Sequence, residues 1–162
     1  MKEQIRVARE ILAEVTPLKG DCGRACGQRC CRSLEGEETG MLLFPGEEAE
    51  PGWTVRESAL GPVVICPGEC ERSRRPLSCR LFPLLPLPPR GEGERVRVAV
   101  DLRGRAACPI ARQGLSAVQP AFREAVREAG TVLMTDAETA AFLRRLEEDR
   151  EEWKRLTREW RG

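Results

Sequence analysis

The sequence predicts a small, irregular, cysteine-rich α+β domain with an N-terminal helix, a few short strands and two C-terminal helices. Three features carry this prediction: an amphipathic repeat in the opening residues, a strictly alternating stretch at 95–102, and helical periodicity from Ser116 onward. A chain of 162 residues is enough for one domain with a core of its own. No internal repeat or low-complexity linker divides it. The expected organisation is a single domain over 1–162, with a cysteine-bearing core at 20–112 and a helical C-terminal part at 113–162.

Ile5, Ala8, Ile11, Leu12 and Val15 recur at helical intervals, so the first helix is expected to end before Pro17, with Lys19 and Gly20 in the turn beyond. Short apolar runs follow at 41–44, 53–55 and 63–66, bounded by Gly and Pro, and read as strands of a small sheet. Met41 to Phe44 should be core, and Trp53 a lid over it. The Pro-rich LFPLLPLPP reads as a rigid connector, with its PxxP spacings as a second possibility for docking on a partner. In RVRVAVDL, Val96, Val98, Val100 and Leu102 alternate with Arg95, Arg97, Ala99 and Asp101, which predicts a strand with one buried and one wet face. A reverse turn at RGEGE precedes it.

After Ser116, one helix spans QPAFREAVREAG, with Pro120 in its opening turn, and another starts near Asp136. Thr135 and Glu138 have the spacing of a capping box. In the last helix Phe142, Leu146, Trp153, Leu156 and Trp160 form an apolar seam against an Arg- and Glu-rich remainder, as expected for a helix packed on the domain.

Composition narrows the function. The 27 basic residues are balanced by 26 acidic ones, a net charge of +1, which disfavours nucleic acid as a partner. MKEQIRVAREILAEV has no apolar stretch of signal-peptide type, and LFPLLPLPP is too short and too interrupted to span a bilayer, so no membrane partner is expected. The expected location is therefore cytoplasmic and reducing, where clustered cysteines more often hold metal or do redox chemistry than form permanent disulfides.

The chain has eight cysteines and no histidine: Cys22, Cys26, Cys30, Cys31, Cys66, Cys70, Cys79 and Cys108. All eight are candidate metal ligands. Cys22, Cys26 and Cys30 are spaced by four, which on a helix sets neighbouring Cβ atoms about 5–6 Å apart, close enough for two ligands to grip one ion. If the segment is a loop instead, Gly23 and Gly27 allow backbone N–H groups to turn toward the sulfurs. One residue of helix rotates a side chain by about 100°, so Cys30 and Cys31 are not expected to aim equally at one ion. The four-residue step recurs from Cys66 to Cys70, and Cys79 follows. Arg72, Arg74, Arg75 and Arg80 are placed to offset thiolate charge. Cys108 would be a remote ligand tying the alternating strand to the site.

Without histidine, an all-protein site must be sulfur-rich, and a tetrahedral four-sulfur set suits zinc or iron, including an iron-sulfur cluster. Eight thiols suffice for two such sites, or for one site with redox-active spares. The motifs CGRACGQRCC, GMLLFPGEE, RRPLSCRLFP and the late Cys108-Pro109 together resemble small bacterial cysteine-cluster proteins described as zinc- or iron-chelating domains. The resemblance covers roughly residues 20–112. In the commoner family form two residues separate successive cysteines of the first cluster, where this chain has three. The resemblance implies a metal chelator. A related cysteine-rich domain occurs in flagellin lysine methylases, but no Gly-rich cofactor loop here supports methyl transfer.

The leading expectation is a metal-binding protein. The alternative is a thiol redox enzyme or sensor, using a pair such as Cys30 and Cys31 or Cys66 and Cys70. A second alternative is a zinc-dependent nucleic-acid-binding module. The missing histidine removes the commonest general base, so if the chain is an enzyme, redox chemistry is what its residues support.

Overall fold

The computed structural model of the chain describes residues 1–32 and 38–159. Helix α1 (Glu3–Ile11) forms because Ile5, Ala8 and Leu12 bury one stripe completely, while Arg6 pairs with Glu3 and Glu10 on the wet face. The apolar period continues to Val15, yet the helix stops at Ile11. The Arg72 guanidinium accounts for the early stop: Nε donates to the Ala13 carbonyl at 2.8 Å, and Nη2 to Leu12 at 3.0 Å and to Val15. Leu12 caps the helix and Ala13 and Val15 lie just beyond it, so a distant arginine holds the carbonyls of the segment that leaves α1.

Helix α2 (Cys22–Cys26) is one short turn, capped by the Asp21 carboxylate, which accepts from the Gly23 N–H at 2.9 Å. Beyond it, β1 (Gly40–Leu42), β2 (Val55–Ser58) and β3 (Gly61–Ile65) make an antiparallel sheet in the order β1-β3-β2. The expected short strands are present, with Met41 and Val55 both opposite Val64.

Helix α3 (Leu77–Leu81) carries Cys79, and the segment after it departs from the expected connector. Leu84–Leu87 is a fully buried strand, β4, paired antiparallel with β5 (Arg97–Val100). Pro86 is tolerated because a two-stranded ribbon leaves each strand one open side, where a missing N–H costs no ladder bond. The alternating strand is thus one half of a ribbon. Its polar side is half covered: Arg97 pairs with Glu147, and Arg150 Nε donates to the Val100 carbonyl at 3.2 Å.

Helix α4 (Pro109–Gln113) follows Cys108, and α5 (Pro120–Leu133) starts with its proline at the first position, as expected. Helix α5 packs on α1 and on β4. Gly130 makes the second contact possible, since a Cβ there would stand 2.5 Å from Pro86 Cβ. Helix α6 (Ala137–Glu159) is capped by Asp136, whose carboxylate accepts from the Thr139 N–H at 3.0 Å. The capping box anticipated Thr135, but that hydroxyl instead donates to the Val132 carbonyl at 2.7 Å.

The seam of α6 divides along its length. Phe142 and Leu146 are buried, and Phe142 meets the Phe44 ring edge-on at 5.0 Å. Trp153 and Leu156 are 46% and 45% exposed, and Trp160 lies outside the described residues. Among the described residues no helix is long and apolar enough to cross a membrane. The architecture is α+β, with the two C-terminal helices and the N-terminal helix enclosing one core.

One buried carboxylate ties the sheet to α3. Glu47 Oε1 accepts from the Leu77 N–H at 2.7 Å, and Oε2 from the Phe44 N–H at 3.2 Å. Arg9 stands 3.7 Å away. Replacing Glu47 with Ala orphans two buried N–H groups and should cost about 2–4 kcal/mol. We expect a Tm about 4–16 °C lower by circular dichroism for a chain of this size.

Candidate functional site

Five of the eight cysteines line one small cavity: Cys30, Cys31, Cys66, Cys70 and Cys79, around a space of about 40 Å³. Three stretches of chain deliver them. At the end of α2, Gly27 and Gln28 take left-handed conformations, φ 64° and 57°, which turns the backbone into a short 3-10 turn bearing Cys30 and Cys31. Gln28 is the one non-glycine with positive φ among the described residues. Cys66 leaves the end of β3, its N–H donating to the Thr39 carbonyl at 2.9 Å, and Gly68 (φ 94°) then reverses the chain toward Cys70. Cys79 projects from α3, whose first N–H is the one held by Glu47.

Met41, Val64 and Phe82 supply apolar walls, and Trp53 also faces the cavity. The lid role read for Trp53 therefore falls over the thiols. The Sγ atoms of Cys30 and Cys31 are 3.9 Å apart. Adjacent cysteines were expected to diverge. They lie side by side at one cavity even though a 3-10 turn, at three residues per turn, rotates successive side chains by about 120°.

Three of these thiols, Cys31, Cys66 and Cys79, hold their protons more tightly than a free cysteine. Hydrogen bonding with Cys30 pushes Cys31 up to about 11, against an opposing contact from Cys66. Cys66 is raised by its hydrogen bond with Cys31 and then by burial. For Cys79 burial dominates, with neighbouring cysteines adding to it.

Of the four arginines expected to offset thiolate charge, one lines the cavity. Burial alone would lower Arg75, but interaction with Cys70 and the nearby sulfurs raises it overall. Its Nε is buried with no hydrogen-bond partner. The other three serve the scaffold. Arg72 closes α1, and Arg80 donates to the carbonyls of Arg75, Arg9 and Ser73 at 3.1, 3.3 and 2.7 Å. Arg74 sits 5.9 Å over the Trp53 ring and 3.5 Å from Glu50.

Cys22, Cys26 and Cys108 do not line this cavity. The four-residue ladder is broken at Gly27, so Cys22 and Cys26 share α2 while Cys30 belongs to the next turn. Cys108 is buried in the core just before α4. Its charge, like those of Cys26 and Asp21, acts on Cys22, whose thiol burial pushes up in the first place. Cys108 thus stands apart from the five-thiol cavity, in the core ahead of α4.

Among the described residues no three Cys, Asp or Glu side chains form a group that could hold a metal ion as they stand. The donor chemistry nevertheless fits a thiophilic cation: sulfur ligands, a space of a few atoms, and an arginine beside them. Closing a shell would require the thiols to lose protons and move inward. No protein-family model, curated protein or solved structure matches the chain.

The raised thiols set a pH dependence. A group whose folded pKa exceeds its unfolded value contributes stability that is complete below the unfolded value, about 8.5 for cysteine. That contribution is lost as pH rises through the folded value, about 11 for Cys31. Reduced protein in chelator should keep its Tm between pH 6 and about 8, then lose it steadily above about 8.5. The loss should be smaller in Cys31→Ser.

Proposed function

We propose that this chain binds a thiophilic metal ion, zinc or iron, through the thiols of Cys30, Cys31, Cys66, Cys70 and Cys79. The observation that carries the reading is the convergence of cysteines from three separated segments on one cavity. A single water needs about 10–15 Å³ of such space, so about 40 Å³ suits one ion better than a multi-iron cluster with bridging sulfides. Four thiolates around a divalent ion carry a net 2− charge, and Arg75 is the cation at hand to offset part of it. When bound, the ion would supply a cross-link between the 3-10 turn, the end of β3 and α3. The residues around it hold that geometry: Glu47 fixes α3, and Gly27 and Gln28 aim the adjacent cysteines.

The resemblance to bacterial cysteine-cluster chelators agrees with this reading, as does a reducing, cytoplasmic location that keeps thiols available. The nucleic-acid alternative loses ground because Arg72, Arg74 and Arg80, from its most basic loop, are engaged by partners within the protein.

Protein purified without oxygen should contain one zinc or iron per chain by elemental analysis. A colourless sample would indicate zinc, and visible absorption would indicate iron. Cys66→Ser and Cys79→Ser should each weaken metal binding at least about tenfold, while Cys26→Ser leaves the stoichiometry unchanged. Metal well below one equivalent in the wild-type protein would end this reading.

A second reading rests on the 3.9 Å separation of the Cys30 and Cys31 sulfurs, which places them for thiol–disulfide exchange. It predicts metal-free protein in which both thiols titrate reversibly between reduced and oxidised forms without loss of fold, followed by mass spectrometry after alkylation.

A further inference from the structure

A second, larger cavity of about 330 Å³ adjoins the thiol cavity, and Cys30, Met41 and Phe82 line both. Its volume is at the lower end of the range for small-molecule sites. Phe82 can stand between the two because Gly104 passes against its ring. A Cβ at that position would meet Phe82 Cε2 at 2.3 Å.

The lining is mainly apolar, with Leu42 and Val63 contributed by the sheet and Leu60 by the turn between β2 and β3. Two charged side chains reach it, Asp101 and Arg103, and they neutralise each other. Arg103 Nε donates to Asp101 Oδ1 at 2.9 Å, and Nη2 to Oδ2 at 2.7 Å. The hydroxyls of Ser58 and Ser78 already donate to the carbonyls of Gly61 and Leu42 at 2.7 and 2.5 Å. An ionic ligand entering here would lose hydration and meet no unpaired counter-charge among these groups, a cost of several kcal/mol. An apolar ligand would gain from every contact.

We propose that this cavity binds an uncharged, mainly apolar organic molecule of small size, alongside the thiol centre. The inference goes beyond metal binding and does not rest on it, since Cys30 is the one proposed metal ligand in a lining otherwise drawn from the sheet and its turn, Ser78, Phe82 and the turn at 101–107.

The test uses the full chain and the neutral fluorescent probe N-phenyl-1-naphthylamine. Saturable binding of one probe per chain is expected. Ala106→Trp places a large ring at an exposed alanine of the lining and should weaken the probe at least about tenfold. Arg105→Ala, outside the lining, should leave it unchanged. The sulfonated analogue 8-anilinonaphthalene-1-sulfonate, the same ring system bearing a charge, should bind at least about tenfold more weakly. Should Ala106→Trp lose its cooperative melt, Ala106→Leu makes the same comparison with a smaller graft. Non-saturable fluorescence, unchanged affinity in the folded Ala106 variant, or equal binding of the sulfonate would overturn the proposal. Metal content measured on the same samples separates the two readings: probe binding to metal-poor protein overturns only the metal assignment, and metal-loaded protein that ignores the probe overturns only this one.

Discussion

Five cysteines around one small space cannot all ionise together. Each thiolate formed there would repel the next, and the apolar walls deny it the water that would screen the charge. The upward shifts of Cys31, Cys66 and Cys79 favour the protonated form of these three. A cation changes the balance, because it stabilises several thiolates at once and turns their mutual repulsion into a shared attraction. Arg75 alone supplies a single positive charge, too little for a set of this size.

The scaffold explains why the sulfurs stay close despite this. Each cysteine-bearing segment is fixed by a contact that does not involve sulfur: Glu47 on α3, Thr39 on Cys66, and the left-handed pair Gly27 and Gln28 before the 3-10 turn. Arg72 and Arg80 reach from the cysteine-bearing loop to the end of α1, joining the loop to the helical core. A metal bound in the cavity would therefore act on segments already positioned. Its binding energy would go mainly into displacing protons and drawing sulfurs inward, rather than into ordering the chain.

Much of the fold was legible from periodicity. The amphipathic opening, the short Gly- and Pro-bounded strands and both C-terminal helices follow from local pattern, which the core respects. What pattern missed was decided by distant partners. The stretch after α1 leaves the helical path where an arginine sixty residues away holds the carbonyls of Leu12, Ala13 and Val15. LLPL is a strand because Val98 and Val100 lie opposite it, whereas its prolines locally suggest a connector. At the site, the sequence supplied every sulfur but not their grouping. Spacing by four implied one ladder from Cys22 to Cys30, and the left-handed pair Gly27 and Gln28, the latter a residue that rarely adopts it, is what divides the ladder. Nor did any local signal mark Glu47, whose role depends on Phe44 and Leu77 coming together in space.

The division of the thiols has a consequence for how the molecule is built. Cys22 and Cys26 lie on α2 and Cys108 just before α4, whereas the other five gather where the sheet meets α3. A nearly seamless link between the two regions is the turn at 101–107, which runs from the end of β5, past the Phe82 ring at Gly104, to Cys108. Phe82 lines the five-thiol cavity and Gly104 the larger one beside it, so a change in packing at this contact would be felt by both. Close-packed interiors transmit such displacements rather than absorbing them. The absence of a Cβ at Gly104 is thus a condition for this contact: a larger residue would meet the Phe82 ring at 2.3 Å, so either the ring, which lines both cavities, or the turn that leads to Cys108 would have to shift.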